Sequence, residues 1–257
     1  MRLVAARARL HPVNREQISR LAHADHPIAA PLGGESVRRL LQRGLPRGDE
    51  RVLDLGCGSA EWLLRALTAH PGLQAEGVDI GEGALAQARE RACAAGVHER
   101  LALHHQDAAG FAASGVFDLV LCVGATHAFG GLPATLAAAR KHLAPGGRVL
   151  IGDGFWAREP SPGAVEMLGE LTGLPAMMDS IAAAGWIPIY GHISTRRELD
   201  EYEWAWTGTL ASWALDHPGH PDSSQVLAAA TTHRDEWLHV YRDSFGFVCL
   251  VLRPAFG

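Results

Sequence analysis

The 257-residue sequence lacks the features of a disulfide-bonded, membrane-spanning or disordered protein. Its four cysteines stand singly, without a Cys-x-x-Cys pair, so we expect reduced, buried thiols rather than a disulfide framework. No apolar run approaches the roughly 18–20 residues that cross a bilayer, so no membrane partner is expected. Charged residues (20%) are too few and hydrophobic residues (47%) too many for a disordered chain. The composition therefore indicates a folded domain.

The sequence also lacks the marks of a nucleic-acid-binding or exported protein. The net charge is −5 and basic runs are short, so we expect no nucleic-acid partner. The N-terminal stretch is basic but has no apolar segment or small-residue cleavage site of a secretory signal. These observations predict a cytoplasmic protein.

Histidine is abundant, with 14 copies, and raises the question of a metal. The candidates have neither a helical i, i+4 spacing with a supporting carboxylate nor cysteine partners, so we expect no metal and interpret them as solvated surface groups. They are His104, His105, His217, His220 and His233.

Apolar strands alternate with amphipathic helices over residues 35–154, which is typical of a parallel α/β sheet. The predicted strands are 51–55, 74–78, 101–105, 117–123 and 148–151, and the predicted helices are 15–22, 35–43, 61–69, 83–95 and 132–143. Beyond residue 163 we predict helical stretches over 164–184, 197–216 and 223–241, and strands over 186–193 and 246–252.

No hydrophilic linker is long enough to separate two domains, so residues 1–257 are predicted to form one domain. Residues 1–34 form an N-terminal cap segment, residues 35–154 a cofactor-binding core, and residues 155–257 a C-terminal half. In that last part we expect helices that cover the substrate and strands six and seven.

The most informative stretch is Val-Leu-Asp-Leu-Gly-Cys-Gly-Ser-Ala, residues 52–60. A hydrophobic strand ends at Asp54 and turns through Gly56-x-Gly58 into a helix, whose first N–H groups are free to bind a ligand. Asp79 closes the second strand, 23 positions beyond Gly56, where an acid accepts hydrogen bonds from ribose hydroxyls. This context predicts a nucleotide-type site, although Asp54 could instead merely cap the turn.

The details of the turn decide between two cofactors. Dinucleotide oxidoreductases carry a third glycine or an alanine where this chain has Glu61, and a negative charge there opposes a diphosphate. Asp54 and Glu61 suit a ligand with a positive amine and a sulfonium. The residues therefore favour S-adenosylmethionine over NAD.

Five motifs in order resemble those of the class I S-adenosylmethionine-dependent methyltransferases. They lie at residues 52–60, 77–80, 106–108, 117–120 and 143–148. The resemblance implies a Rossmann-like α/β fold with a seven-stranded, mostly parallel sheet. Strand seven would run antiparallel beside strand five. The resemblance also implies which residues bind the cofactor: Asp54, Gly56, Cys57, Gly58, Ser59, Asp79, Ile80, Gln106, Asp107, Ala108, Cys122 and Gly124. Asp118, in the fourth motif, more often orients the start of a strand than touches the ligand.

The loop after the fourth strand supplies the first catalytic candidate. It holds His127, and histidine is the side chain most readily used as a base near neutral pH. The alternative is that His127 caps the next helix or packs beneath the loop. The Asn/Asp-Pro-Pro-aromatic box of DNA amino-methylating enzymes is absent, and the loop resembles bacterial class I enzymes that act on small molecules.

Asp153, at the end of the fifth strand, is the second catalytic candidate. It would bind a substrate amine or orient His127, or else cap the following turn. We expect Phe155 and Trp156 to wall an apolar substrate pocket and Trp204 to belong to a lid, while a packing role is the alternative for Trp204. His26, in Asp-His-Pro, is the candidate from the N-terminal segment.

The sequence thus predicts an enzyme that methylates a small molecule on oxygen, nitrogen or carbon, with S-adenosylhomocysteine as the second product. The alternatives are a non-catalytic cofactor-binding or interaction protein and, third, a nicotinamide oxidoreductase. A monomer or a homodimer is expected.

Overall fold

The computed structural model describes residues 15–255, and the side chains of residues 18–255. Seven strands form a single sheet in the order β3-β2-β1-β4-β5-β7-β6. The strands are β1 Arg51–Leu55, β2 Gln74–Asp79, β3 Leu101–His105, β4 Phe117–Val123, β5 Leu143–Trp156, β6 Trp186–Ile193 and β7 Phe245–Pro254. The helices are α1 Arg15–Ala22, α2 Gly34–Gly44, α3 Glu61–Ala69, α4 Glu82–Ala94, α5 Leu132–His142, α6 Pro162–Leu168, α7 Leu174–Ala183, α8 Arg196–Asp216 and α9 Ser223–Glu236.

The strand directions confirm the predicted sheet. β1 pairs in parallel with β2 on one side and β4 on the other, with Val52 opposite Ala75 and Leu119. β7 lies between β5 and β6 and is antiparallel to β6. The apolar run of β4 is buried on both faces, as expected of a central parallel strand. The carboxyl ends of β1, β2 and β4 therefore share one edge of the sheet.

Several element boundaries differ from the sequence prediction. β5 begins at Leu143, five residues before the predicted start at Arg148, and continues five residues beyond the predicted end at Ile151, so Phe155 and Trp156 lie within the strand. The helix predicted over 164–184 is two helices, because Gly169, with φ 85°, ends α6. The helix predicted over 223–241 changes after Glu236 into a π-helical turn, Trp237–Tyr241.

The described chain divides into two compact units. The sheet unit comprises Gly33–Asp153, Pro175–Ile193 and residues 248–255. The helical unit comprises residues 15–32, Gly154–Leu174 and Ser194–Phe247. No helix within the described ranges is both long enough and apolar enough to cross a membrane.

In the helical unit, α8 packs against α1 and α9. The apolar core there consists of Ile18, Ala22, Trp206, Leu210, Ala214, Val226, Ala229 and Ala230. Helix α8 begins with a capping box, in which the Thr195 hydroxyl accepts the Glu198 amide at 3.1 Å and the Glu198 carboxylate accepts the Thr195 amide at 2.9 Å. The cap fixes where this long helix starts.

A buried carboxylate lies within the helical unit. Glu203 accepts a hydrogen bond from the Tyr241 hydroxyl at 3.0 Å and lies 2.7 Å from Nε2 of His233. Burial of the ring, followed by the charge of Glu203, raises the pKa of Tyr241, so its hydroxyl stays protonated and donates. The interpretation of His233 as a solvated surface group is wrong, because its ring is buried against Glu203 and lies 4.0 Å from that of Trp206.

Candidate functional site

The turn after β1 requires glycine at position 56. Gly56 has φ 86°, and a Cβ placed on it would lie 2.5 Å from the Cβ of Ala125. The amides of Gly56 and Cys57 both donate to the Val78 carbonyl, at 2.9 and 3.0 Å. The turn is therefore fastened to the end of β2 and lies against the loop that follows β4.

Gly58 and Asp79 form the next part of the site. The Asp79 carboxylate accepts the amides of Gly58 and Gly81, both at 2.8 Å. A Cβ on Gly58 would meet no atom within 4 Å, so open space adjoins the turn at this point. This space is a cradle in which a ligand can approach the backbone closely.

Asp54 stands at the end of β1 as a buried carboxyl group. It is 3% exposed, and no hydrogen bond from a described residue lowers its pKa. Burial, with a smaller contribution from the charge of Asp79, raises its pKa to about 7. A buried carboxylate without a donor is costly, and a cationic ligand group would remove that cost.

The end of β3 contributes Gln106, Asp107 and Ala108. The Asp107 carboxylate accepts the Ala109 amide at 3.0 Å and caps a short 3₁₀ turn. The backbone amide of Gln106 donates to the backbone carbonyl of Asp79 at 3.0 Å, which connects this segment to β2. Gln106 and Asp107 are exposed and Ala108 is buried, so the two polar side chains face solvent beside the motif at residues 77–80.

The remaining predicted cofactor residues lie on the same segments. Ile80, directly after β2, is 72% exposed, which is unusual for a large apolar side chain. Gly124 bonds to the Gly152 carbonyl at 2.8 Å and Ser59 is half-buried in the turn. Burial raises the pKa of the Cys57 and Cys122 thiols, so both stay protonated. Neither cysteine is suited to act as a nucleophile.

Asp118 has the structural role that the sequence favoured. Its carboxylate accepts the Arg51 amide at 2.9 Å and lies 3.0 Å from the Arg47 guanidinium. It therefore orients the starts of β1 and β4, at the opposite end of these strands from the glycine turn.

Glu61 does not have the role that the sequence suggested. Its buried carboxylate is paired with Arg65 at 2.6 Å and with Arg91. It lines a cavity of about 910 Å³ between α2, α3 and α4, and this cavity includes neither the glycine turn nor Asp79. Because two guanidinium groups neutralise Glu61, its charge is not available to choose between cofactors, and Asp54 alone supports that argument.

The two catalytic candidates lie in the sheet unit. His127 is exposed on a 3₁₀ turn, Thr126–Phe129, after β4. Asp153 is half-buried on β5 and accepts a hydrogen bond from the Thr126 hydroxyl at 2.7 Å. The structure thus connects Asp153 to the residue before His127, a link for which the sequence carried no signal.

The four substrate candidates lie in the helical unit. The Nδ1 atom of His26 is 2.7 Å from the Ile28 carbonyl, and its ring contacts Tyr202 edge-on. Phe155 is buried and its ring packs against the backbone of Gly246, while Trp156 is half-buried. Trp204 is 53% exposed. Their contact with a substrate stays a prediction.

Two further residues shape the site and were not predicted. Gly77 lies in β2 where a Cβ would come within 2.8 Å of the Cys57 sulfur, so only glycine lets the turn pack on the strand. A glycine inside a strand is itself a sign of close approach, and that signal was present in the sequence. Thr126 is the second of these two residues.

Among the described residues, no three metal-ligating side chains are grouped as a metal site.

The strand order, with an antiparallel β7 beside β5, and an acid-flanked glycine turn after β1 define the Rossmann-like fold of the class I methyltransferases. Known proteins agree with this assignment. Residues 53–149 match the family described as a methyltransferase domain.

An S-adenosylmethionine-dependent methyltransferase from Geobacter sulfurreducens, solved with S-adenosyl-L-homocysteine, superposes with a TM-score of 0.84. It has 28% identity, over 93% of this chain and 98% of that chain. The uncharacterized protein YjhP of Escherichia coli is 28% identical over 90% of this chain and 95% of its own. A ubiquinone biosynthesis O-methyltransferase of Aromatoleum aromaticum is 32% identical over 54% of this chain and 61% of its own. Together these similarities support a class I S-adenosylmethionine-dependent methyltransferase.

Proposed function

We propose that the protein binds S-adenosylmethionine at the carboxyl ends of β1–β3 and methylates a small-molecule acceptor. The observation that carries the proposal is the buried Asp54 carboxyl group, whose pKa no hydrogen bond from a described residue lowers and which lies four residues before the open cradle at Gly58. A cationic amine suits Asp54, and ribose hydroxyls suit Asp79. When bound, S-adenosylmethionine supplies a methyl group activated by its sulfonium charge.

The remaining cofactor residues fit the same ligand. Asp107 and Gln106 are exposed beside Asp79 and would face an adenosine group, and Ile80 would cover it with apolar surface. The Geobacter relative, solved with S-adenosylhomocysteine, supports this assignment.

We further propose that His127 is the general base that takes the proton from the acceptor. It is exposed on the loop after β4, at the carboxyl ends of the strands, where ligands of open α/β sheets bind. A positioned base contributes about 10²–10⁴-fold to a reaction that requires proton removal. The similarity of half of the chain to a ubiquinone biosynthesis O-methyltransferase supports an acceptor of small size.

Calorimetric titration with S-adenosylhomocysteine, S-adenosylmethionine and NAD tests the first part. We expect binding of the first two and none of NAD, and binding of NAD alone would overturn the assignment. A screen of small-molecule acceptors, read out as S-adenosylhomocysteine released, then tests catalysis. Tight cofactor binding with no transfer to any acceptor class would favour the non-catalytic alternative.

His127→Ala and His127→Asn test the base. Asparagine keeps hydrogen bonding but takes up no proton near neutral pH. We expect turnover to fall by roughly 10²–10⁴-fold in both variants while cofactor affinity is kept. His98→Asn is the matched control, because His98 is exposed on another 3₁₀ turn of the same unit. Parental turnover in both His127 variants would show that His127 is not the base.

A further inference from the structure

Thr126 is a buried polar residue that connects the two catalytic candidates. It is 5% exposed and directly precedes His127. Its hydroxyl donates to the Asp153 carboxylate at 2.7 Å, so the loop after β4 is fastened to β5 through a side chain. Hydrogen bonds to an ionised acceptor are short and about twice as strong as neutral ones.

The backbone of Thr126 is fastened as well. Its carbonyl accepts the Gly131 amide at 3.0 Å, and the hydroxyl of Thr135, a fully buried residue of α5, lies 3.3 Å away. The same hydroxyl lies 2.9 Å from the Gly131 carbonyl. Both ends of the turn that carries His127 are therefore bound to regular structure, to β5 and to α5.

Two further backbone bonds lie at the turn. The Ala128 amide donates to the Ala125 carbonyl at 3.0 Å, and the Gly130 amide donates to the His127 carbonyl at 3.3 Å. Gly130 and Gly131 have φ of 86° and 114°, where no side chain adds rigidity. The bonds of Thr126 and Thr135 therefore contribute to the orientation of the turn.

We infer that Thr126 is a positioning residue for the methyl transfer, whose hydroxyl holds the His127 turn and the Asp153 carboxylate in one fixed arrangement. The inference rests on the proposed function, since it acts through His127. Misplacement of a catalytic group by about 1 Å costs on the order of 10²-fold in rate, so a bond that fixes the turn matters to turnover more than to stability.

The test compares three variants. Thr126→Val keeps the branched shape and removes the hydroxyl, whereas Thr126→Ser keeps the hydroxyl. Thr68→Val is the control, because it removes a hydroxyl that bonds to the Leu64 carbonyl within α3, away from the site. All three are measured for amide hydrogen exchange, S-adenosylhomocysteine affinity, and kcat and KM with the acceptor found by the screen.

We expect Thr126→Val to accelerate exchange of the Ala128, Gly130 and Gly131 amides by about tenfold and to lower kcat by about 10–100-fold. Its KM and cofactor Kd stay within about twofold of the parent, because only positioning is lost. Thr126→Ser and Thr68→Val keep kcat within about threefold. A double variant with His127→Asn is no slower than His127→Asn alone, because the two residues act as one unit.

Exchange of these amides at the parental rate in Thr126→Val overturns the inference without any acceptor. Parental kcat in Thr126→Val, in a protein that His127→Asn impairs, overturns it as well. Failure of the proposed function looks different, because it shows as absent cofactor binding in the parent or as full turnover in His127→Asn.

Discussion

The Asp79 carboxylate receives the backbone amide of Gly58 at 2.8 Å, so the end of β2 holds the tip of the glycine turn. A second amide, that of Gly81, binds the other oxygen. Each carboxylate oxygen can accept more than one hydrogen bond, so Asp79 can order the turn and bind ribose hydroxyls at the same time.

Asp79→Ala is expected to weaken S-adenosylhomocysteine binding by about one to two orders of magnitude. Loss of a charged acceptor to the ligand costs roughly 1.5–3 kcal/mol. Calorimetry measures the Kd, and a circular dichroism spectrum checks the fold. Asp118→Ala is the control, because that carboxylate binds Arg47 and Arg51. An equal loss of affinity in both variants would mean that the effect passes through stability.

Gly58→Val should abolish detectable cofactor binding. The side chain would fill the open space beside the turn, and the backbone at φ 54° disfavours a branched residue. Gly96→Val is a matched control, since Gly96 has φ 68° and open space but follows α4. Both variants carry similar strain, so we expect similar thermal midpoints and a loss of affinity in Gly58→Val alone. Normal affinity there would make the glycine turn purely structural.

Cofactor affinity should fall on acidification because of Asp54. Its pKa is raised to about 7, and a cationic amine binds the ionised form. Below pH 7 each unit of acidification is expected to weaken S-adenosylhomocysteine binding by up to about tenfold. Asp54→Asn should bind more weakly than the parent and show little change between pH 5.5 and 7.5. A parental pH dependence in this variant would assign the titration to another group.

The same carboxyl group makes the unliganded protein less stable as the pH rises from about 4 to about 7. A carboxyl whose pKa is raised on folding stabilises the fold below its unfolded value, and this contribution is lost as the pH rises toward 7. A rise from 3.8 to about 7 corresponds to roughly 4 kcal/mol. Asp54→Asn should therefore gain thermal midpoint relative to the parent between pH 5 and pH 8. A constant difference between the two proteins over that range contradicts this.

Glu61→Gln tests whether the ion-paired acid selects the cofactor. We expect a lower thermal midpoint, because Arg65 and Arg91 lose a buried charged partner. S-adenosylhomocysteine affinity should change less than about threefold, and NAD should still not bind. Binding of NAD by this variant would restore the selection role that the sequence suggested.

The sequence was sufficient for the parts of the fold that depend on local pattern. The sequence predicted β1 and β2 from the strand–glycine–helix transition at residues 52–60 and from the acid at Asp79. It thereby also predicted which residues meet at the carboxyl ends of these two strands. The end of β5 was harder to predict from the sequence, because the glycines and aromatic residues after Ile151 are typical of a loop. In the structure β5 continues through them between β4 and β7.

Charged partners across helices could not be predicted. Glu61 looked available because its partner Arg91 lies 30 positions away in α4. His233 looked solvated because Glu203 lies 30 positions before it, in another helix. Thr126 gave no signal either, since its role depends on a bond to Asp153 that only tertiary structure creates. The cytoplasmic location and the oligomeric state stay predictions.

The helical unit is assembled from three separate stretches of chain, and the sheet unit from three others. No single cut and no single fusion point can transfer the helical unit to another methyltransferase, because its stretches at Gly154–Leu174 and Ser194–Phe247 each leave and re-enter the sheet unit. Recombination between relatives would have to exchange several segments at once to move it intact. A change to the helical unit therefore requires either substitutions within one of its stretches or the coordinated exchange of all three.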